Sequence, residues 1–116
     1  MRYITAALVL IALVGPSTAA QKEKLLELRG QALLAGRCSG CHAINRSGKS
    51  AHPEAPPFRT LGQRYVIDNL AEALAEGLST GHPDMPEYIF EVKDVGAILT
   101  YLKSIQAPSK ARPRKG

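Results

Sequence analysis

Residues 36–45 read GRCSGCHAIN, and they hold the only two cysteines of the 116-residue chain. Cys38 and Cys41 stand three positions apart and His42 follows directly, the C-x-x-C-H arrangement of covalent haem attachment. The spacing has a chemical reason. Two thiols three residues apart on a helical turn can each add to one of the two haem vinyl groups, and the thioethers formed fix the macrocycle to the chain. His42 is then carried beneath the iron, where its Nε2 can coordinate as the proximal ligand. Other readings of the five residues lack what they need. A thioredoxin-like dithiol requires a βαβ pattern that is missing. Tetrahedral zinc requires four ligands, and without a second cysteine pair it would have to recruit His52 and His82 from irregular segments.

The N-terminus supplies an independent reason to expect attached haem. Arg2 precedes an apolar run from Ile4 to Val14, broken by Gly15–Pro16 and followed by Ser17, Thr18, Ala19 and Ala20. This is the pattern of a secretory signal peptide, residues 1–20, with cleavage after Ala20. The run of eleven residues falls short of the ~20 that span a bilayer as a helix. Export places the protein in an oxidising compartment, the periplasm, where a bare Cys-x-x-Cys would tend to close on itself.

What remains is one small domain, 21–107, and a tail, 108–116. With no Trp and only two Phe the domain has little aromatic bulk for a core, and one cysteine pair cannot build a disulfide scaffold. A bound group at the centre would compensate. Lys110, Arg112, Arg114 and Lys115 crowd the last seven residues, while the body carries ten basic and ten acidic side chains. A balanced body argues against nucleic acid as a partner. The tail, PSKARPRKG, has two prolines and no large apolar residue, and is expected to be disordered.

Three segments have helical periodicity. Residues 22–36 set Leu25, Leu26, Leu28, Leu33 and Leu34 among charges; 63–76 repeat with Val66, Ile67, Leu70, Ala71 and Leu74 and stop at Gly77, a C-cap; and about 92–106 place Val95, Ile98, Leu99, Leu102 and Ile105 on one face before Pro108. Between them run two long connections without strand pattern, 43–60 and 78–91, rich in Pro and Gly. Loops of that length are uncommon in a compact domain unless they serve a function, and wrapping a cofactor would explain both.

An iron held by His42 alone keeps its sixth position open. After signal removal the chain has one methionine, Met85, in GHPDMPEY, with Pro83 and Pro86 restricting the backbone around it. Met85 is the expected sixth ligand and His82 the rival. Glu54 and Asp84, in the same two loops, read as solvated carboxylates, and no catalytic base stands out, so no enzyme activity is expected.

These residues resemble the class I c-type cytochromes, small soluble monohaem electron carriers, over nearly all of 24–106. CSGCH lies near the start, a proline-containing loop follows, and Met85–Pro86 comes late, before a C-terminal helix. The resemblance extends to Gly30 and Leu34, eight and four residues before Cys38, and to Ile98 and Tyr101, which in the family form the contact between first and last helices. It implies an all-α fold of three main helices and long loops around one covalent haem c, ligated by His42 and Met85. It also implies that a proline carbonyl, that of Pro56 ahead of Pro57, accepts the His42 Nδ1–H, with Phe58 in the apolar position two residues on. The implied role is a monomeric one-electron shuttle between partner proteins, a donor dehydrogenase and an acceptor oxidase or reductase. The alternatives are a fixed cytochrome subunit of a periplasmic oxidoreductase complex and, were Met85 a weak ligand, a haem-based small-ligand sensor. The family often rings its haem edge with lysines; this balanced body does not.

The tail generates a prediction of its own. Four basic residues on a flexible end can raise encounter rates with an acidic partner or give weak contact with an anionic membrane, at ~1 kcal/mol per residue near the surface. Truncation after Ala107 is expected to leave the haem spectrum and thermal stability unchanged and to slow bimolecular electron transfer at low ionic strength. The difference should vanish near 1 M salt, where the Debye length is ~3 Å. Equal rates at low salt would reduce the tail to a solubilising end.

Overall fold

The computed structural model describes residues 17–108, together with Leu13 and Gly15. The expected signal segment before Ser17 and the basic tail after Pro108 otherwise lie outside the described residues. Within them the chain is helical and contains no strand. Helix α1 spans Thr18–Arg37, α2 Ala71–Glu76 and α3 Val92–Ile105, and two 3₁₀ turns, Phe58–Gln63 and Ile67–Leu70, precede α2. The all-α expectation holds, with α1 and α3 as the frame.

Helix α1 starts four residues before the periodicity does, because Ser17 caps it: the Ser17 hydroxyl accepts the Ala20 amide N–H at 3.4 Å. The expected cleavage point after Ala20 therefore falls inside the first turn of the uncut helix. Its apolar face is narrower than the leucine pattern predicts. Gly30 and Leu34 are buried, whereas Leu25 and Leu28 are 67% and 51% exposed. The reason is angular phase: at ~100° per residue Leu28, two residues before Gly30, falls on the opposite side of the helix from the Gly30–Leu34 stripe that meets α3, and Leu25 also lies well off that stripe.

Helix α3 follows its expected face closely. Val95, Ala97, Ile98, Tyr101, Leu102 and Ile105 are buried, with Ile98 and Ala97 fully so. The backbone turns extended at Gln106, φ −60° and ψ 129°. Gln106 also ties this end of α3 to the first 3₁₀ turn. Its Nε2 donates to the Leu102 and Phe58 carbonyls at 2.8 and 2.9 Å, and its Oε1 accepts the Gly62 N–H at 2.7 Å.

The middle helix expected over 63–76 is largely replaced. Only Ala71–Glu76 is α-helical, preceded by the tighter turn Ile67–Leu70 and by Val66 in an extended conformation. Val66, Ile67, Asp68 and Asn69 are all weak helix formers. Their apolar and polar members are also drawn different ways: Ile67 is buried in the core while Asp68 pairs with Lys103 of α3 at 2.9 Å. Gly77 caps α2 as expected, with φ 110° and its N–H on the Ala73 carbonyl at 2.9 Å. The first long connection is correspondingly shorter than 43–60, since Phe58 already opens a 3₁₀ turn.

Where α1 and α3 cross, a Cβ on Gly30 would press into the Ala97 carbonyl and lie 2.8 Å from Tyr101 Cβ. Only glycine lets the two backbones come this close. Leu34, Ile98 and Tyr101 fill the space around the crossing, and Ile44, Phe58, Ile67, Phe90, Val95, Leu102 and Ile105 complete the core. Arg29 clasps Asp94 across the same pair, its Nε and Nη2 at 2.8 and 2.5 Å from Oδ1.

Gly30→Ala gains ~1 kcal/mol of helix propensity and loses ~1–3 kcal/mol to overpacking. The obstruction is backbone, which cannot rotate away, so overpacking should win and the melting temperature fall by several degrees. Gly96→Ala meets nothing within 4 Å and should raise it. Thermal unfolding of the two variants checks the crossing; equal shifts would contradict it.

Candidate functional site

The Cys-x-x-Cys-His segment is built as the runout of α1. Cys38 caps the helix, its N–H on the Leu34 carbonyl at 2.8 Å, and the turn continues with Cys41 and His42 amides both donating to the Cys38 carbonyl, at 3.2 and 2.9 Å. One helical turn therefore presents both sulfurs and delivers His42 directly after them. Cys38 packs against the core and Cys41 is exposed. Burial, with the nearby Cys41 second, pushes the Cys38 thiol up to about 11.

The first loop doubles back over this turn. His52 N–H donates to the Cys41 carbonyl at 3.1 Å, the Ser50 hydroxyl accepts the Ala43 N–H at 2.9 Å, and Phe58 N–H donates to the Ala43 carbonyl at 2.9 Å. These bonds bring the Pro56 carbonyl to 2.8 Å from His42 Nδ1. It is Pro56 rather than Pro57 because the Pro57 carbonyl starts the next turn, accepting from the Thr60 amide and hydroxyl. A carbonyl can only accept, so His42 Nδ1 bears the proton and Nε2 keeps its lone pair. The Phe58 ring lies against the imidazole, centroids 4.7 Å apart. The residues thus fit haem on a structural test: the ring tautomer, the two sulfurs on one turn and the adjoining apolar core suit an axial imidazole and a thioether-bound macrocycle.

Tyr101 reaches the same segment from α3. Its hydroxyl donates to the Ile44 carbonyl at 2.8 Å and lies 2.9 Å from Asn45 Oδ1, which also accepts from Gln31 Nε2 of α1 at 3.0 Å. Burial raises the Tyr101 pKa, favouring the neutral donor. Tyr101 enters the sequence reading only as a helix-contact aromatic; its bond to the backbone two residues beyond His42 depends on the crossing.

Met85 is half-buried in the second loop, at the end of a turn closed by its N–H on the His82 carbonyl at 3.2 Å. That loop is held at its far end by Phe90, buried and bonded through its N–H to the Leu74 carbonyl at 2.9 Å. Arg37 of α1 lies over the Tyr88 ring, 4.6 Å from its centroid.

Glu54 and Asp84, expected as merely solvated, are exposed but paired, each with a histidine of the other loop. His52 Nε2 lies 3.1 Å from Asp84 Oδ2, and His82 Nε2 contacts Glu54 Oε2. The hydrogen bond from His82 holds the Glu54 carboxyl below its usual range. The signal for this arrangement was a repeat, AHPEAP at 51–56 and GHPDMP at 81–86, whose pairing could not be read from either copy alone. Among the described residues no group of three or more His, Cys, Asp and Glu side chains is arranged to hold a metal ion, and no helix is long and apolar enough to cross a membrane.

The family model for cytochrome c matches residues 28–106. No curated protein and no solved structure matches the chain. Because the match takes in the Gly30 crossing, the Cys-His turn, both loops and α3, well over half of the chain, the chain belongs to the cytochrome c family, whose members hold haem c covalently and use its iron in electron transfer.

Proposed function

We propose that this cytochrome is an exported, diffusing one-electron carrier, with haem c joined at Cys38 and Cys41 and ligated by His42 and Met85. The observation that carries the reading is the 2.8 Å contact between His42 Nδ1 and the Pro56 carbonyl. It fixes the imidazole tautomer, restrains the ring and strengthens the Nε2 donor. Bound haem supplies a one-electron iron couple. The chain's part is to keep the same two ligands in both oxidation states, so that little nuclear rearrangement accompanies transfer, and to surround the site with apolar side chains that raise the reduction potential.

The choice of Met85 over His82 is supported by hydrogen bonding. Both His82 ring nitrogens are engaged, Nδ1 with the Asp84 N–H at 3.2 Å and Nε2 with Glu54. Ligation by His82 would sacrifice at least one of these bonds. The thioether of Met85 has no such competitor. Export is supported by the signal-like N-terminus and by the usual placement of the family, and the periplasm is the compartment proposed. Its partners there are a donor dehydrogenase and an acceptor oxidase or reductase.

Two measurements test the reading. Acid–acetone should leave the pigment on the polypeptide, and the intact mass should equal residues 21–116 plus one haem; freely extracted haem would refute attachment. Met85→Ala should abolish the weak sulfur-to-iron charge-transfer band of the oxidised protein and open the iron to added ligands, with haem still attached. His82→Ala should retain the band, and the reverse pattern would move the ligand to His82.

A further inference from the structure

The two loops are joined by a reciprocal clamp. In the first, His52 Nδ1 accepts the Glu54 amide N–H at 3.1 Å; in the second, His82 Nδ1 accepts the Asp84 amide N–H at 3.2 Å. A backbone amide only donates, so each ring carries its proton on Nε2 and offers it outward. Those protons go across the gap: His52 Nε2–H to Asp84 Oδ2 at 3.1 Å, and His82 Nε2–H to Glu54 Oε2. The rings meet edge to face, 5.5 Å between centroids at 89°. Each histidine thus binds the backbone of its own loop and the carboxylate of the other.

The two sides of the clamp differ in how firmly they are seated. His52 is bonded through its amide to the Cys41 carbonyl, inside the Cys-His turn, and four residues later Pro56 meets His42. The first loop is therefore anchored to the proximal side of the site. The second loop begins with Gly77 and Gly81, both at positive φ (110° and 71°), and Phe90 and the Arg37–Tyr88 contact hold it toward its far end, beyond Met85. Pro53 and Pro83 fix the backbone between histidine and acid in each turn, so the side chains are presented with little slack. Met85 directly follows Asp84.

Resting on the reading of Met85 as sixth ligand, we infer that His52, Glu54, His82 and Asp84 are positioning residues that carry the anchorage of the His42 loop across to the Met85 loop and so keep the sulfur on the iron. The clamp acts as a latch on the sixth position, and an added ligand gains access in proportion to the fraction of molecules in which it is open.

The test alters only the first loop, leaving every residue of the Met85 loop in place. The oxidised, haem-loaded full chain is titrated with imidazole while the sulfur-to-iron band is recorded, in wild type, His52→Ala/Glu54→Ala, His52→Gln/Glu54→Gln and Met85→Ala. Glutamine keeps a donor at position 52 and an acceptor at position 54. The alanine pair should bind imidazole about fivefold to tenfold more tightly, as expected for two exposed pairs, with a weakened band and faster amide exchange at Met85. The glutamine pair should stay within about twofold of wild type on the same scale. An alanine pair indistinguishable from wild type, or a glutamine pair that behaves like alanine, would overturn the clamp. A band that survives Met85→Ala would instead overturn the ligand assignment, and with it the role given to the clamp.

Discussion

The close crossing of α1 and α3 at Gly30 is the contact on which the other features rest. It sets where α1 ends relative to the body, and α1 ends in the turn that presents Cys38, Cys41 and His42. The same crossing brings Tyr101 within reach of the Ile44 carbonyl. Helix α3 therefore touches the segment on both sides of His42, once through Gly30 and Leu34 before it and once through the backbone after it. A shift of α3 by one turn would lose both contacts together.

Long loops in so small a body would be costly if their backbone groups were left without partners. Here the first loop spends its polar groups on the Cys-His turn, through His52, Ser50, Pro56 and Phe58, and the 3₁₀ turn that follows is closed onto α3 by Gln106 and by the Ala107 N–H on the Arg59 carbonyl. Among the described residues no buried side-chain nitrogen or oxygen lacks a partner. The loops are irregular but not loose. The energy that a sheet or a longer helix would draw from regular hydrogen bonding is drawn here from specific contacts to the site.

Charge is used locally rather than globally. The body carries ten basic and ten acidic residues, and the basic cluster is confined to the tail. Within the body the charges pair across elements, Arg29 with Asp94 over the helix crossing and Lys103 with Asp68 over the broken middle helix, and the two histidines hydrogen-bond the carboxylates of opposite loops. Each exposed pair contributes little stability, ~0–1 kcal/mol. Their value lies in register, because each one joins segments that share no regular secondary structure.

The chemistry of the site was readable from the sequence, because C-x-x-C-H constrains residues within one helical turn and local spacing is all it requires. The span of α3, the cap at Gly77 and α1 from residue 22 onward were readable for the same reason, since periodicity and capping are local; the four residues that the Ser17 cap adds to the start of α1 lie outside the leucine pattern. The resemblance to class I cytochromes added Gly30, Leu34, Ile98 and Tyr101, whose spacing reflects a packing contact. What depends on distant segments meeting was not readable. The run 63–76 has a helical pattern, yet tertiary contacts draw Ile67 inward and Asp68 toward Lys103, and the helix shortens to Ala71–Glu76. Leu25 and Leu28 look like core, but the crossing at Gly30 selects the Gly30–Leu34 stripe of α1 and leaves both leucines facing away from α3. The pairing of His52 with Asp84 and of His82 with Glu54 joins loops thirty residues apart, and only the folded chain decides that two similar hexapeptides answer each other rather than solvent.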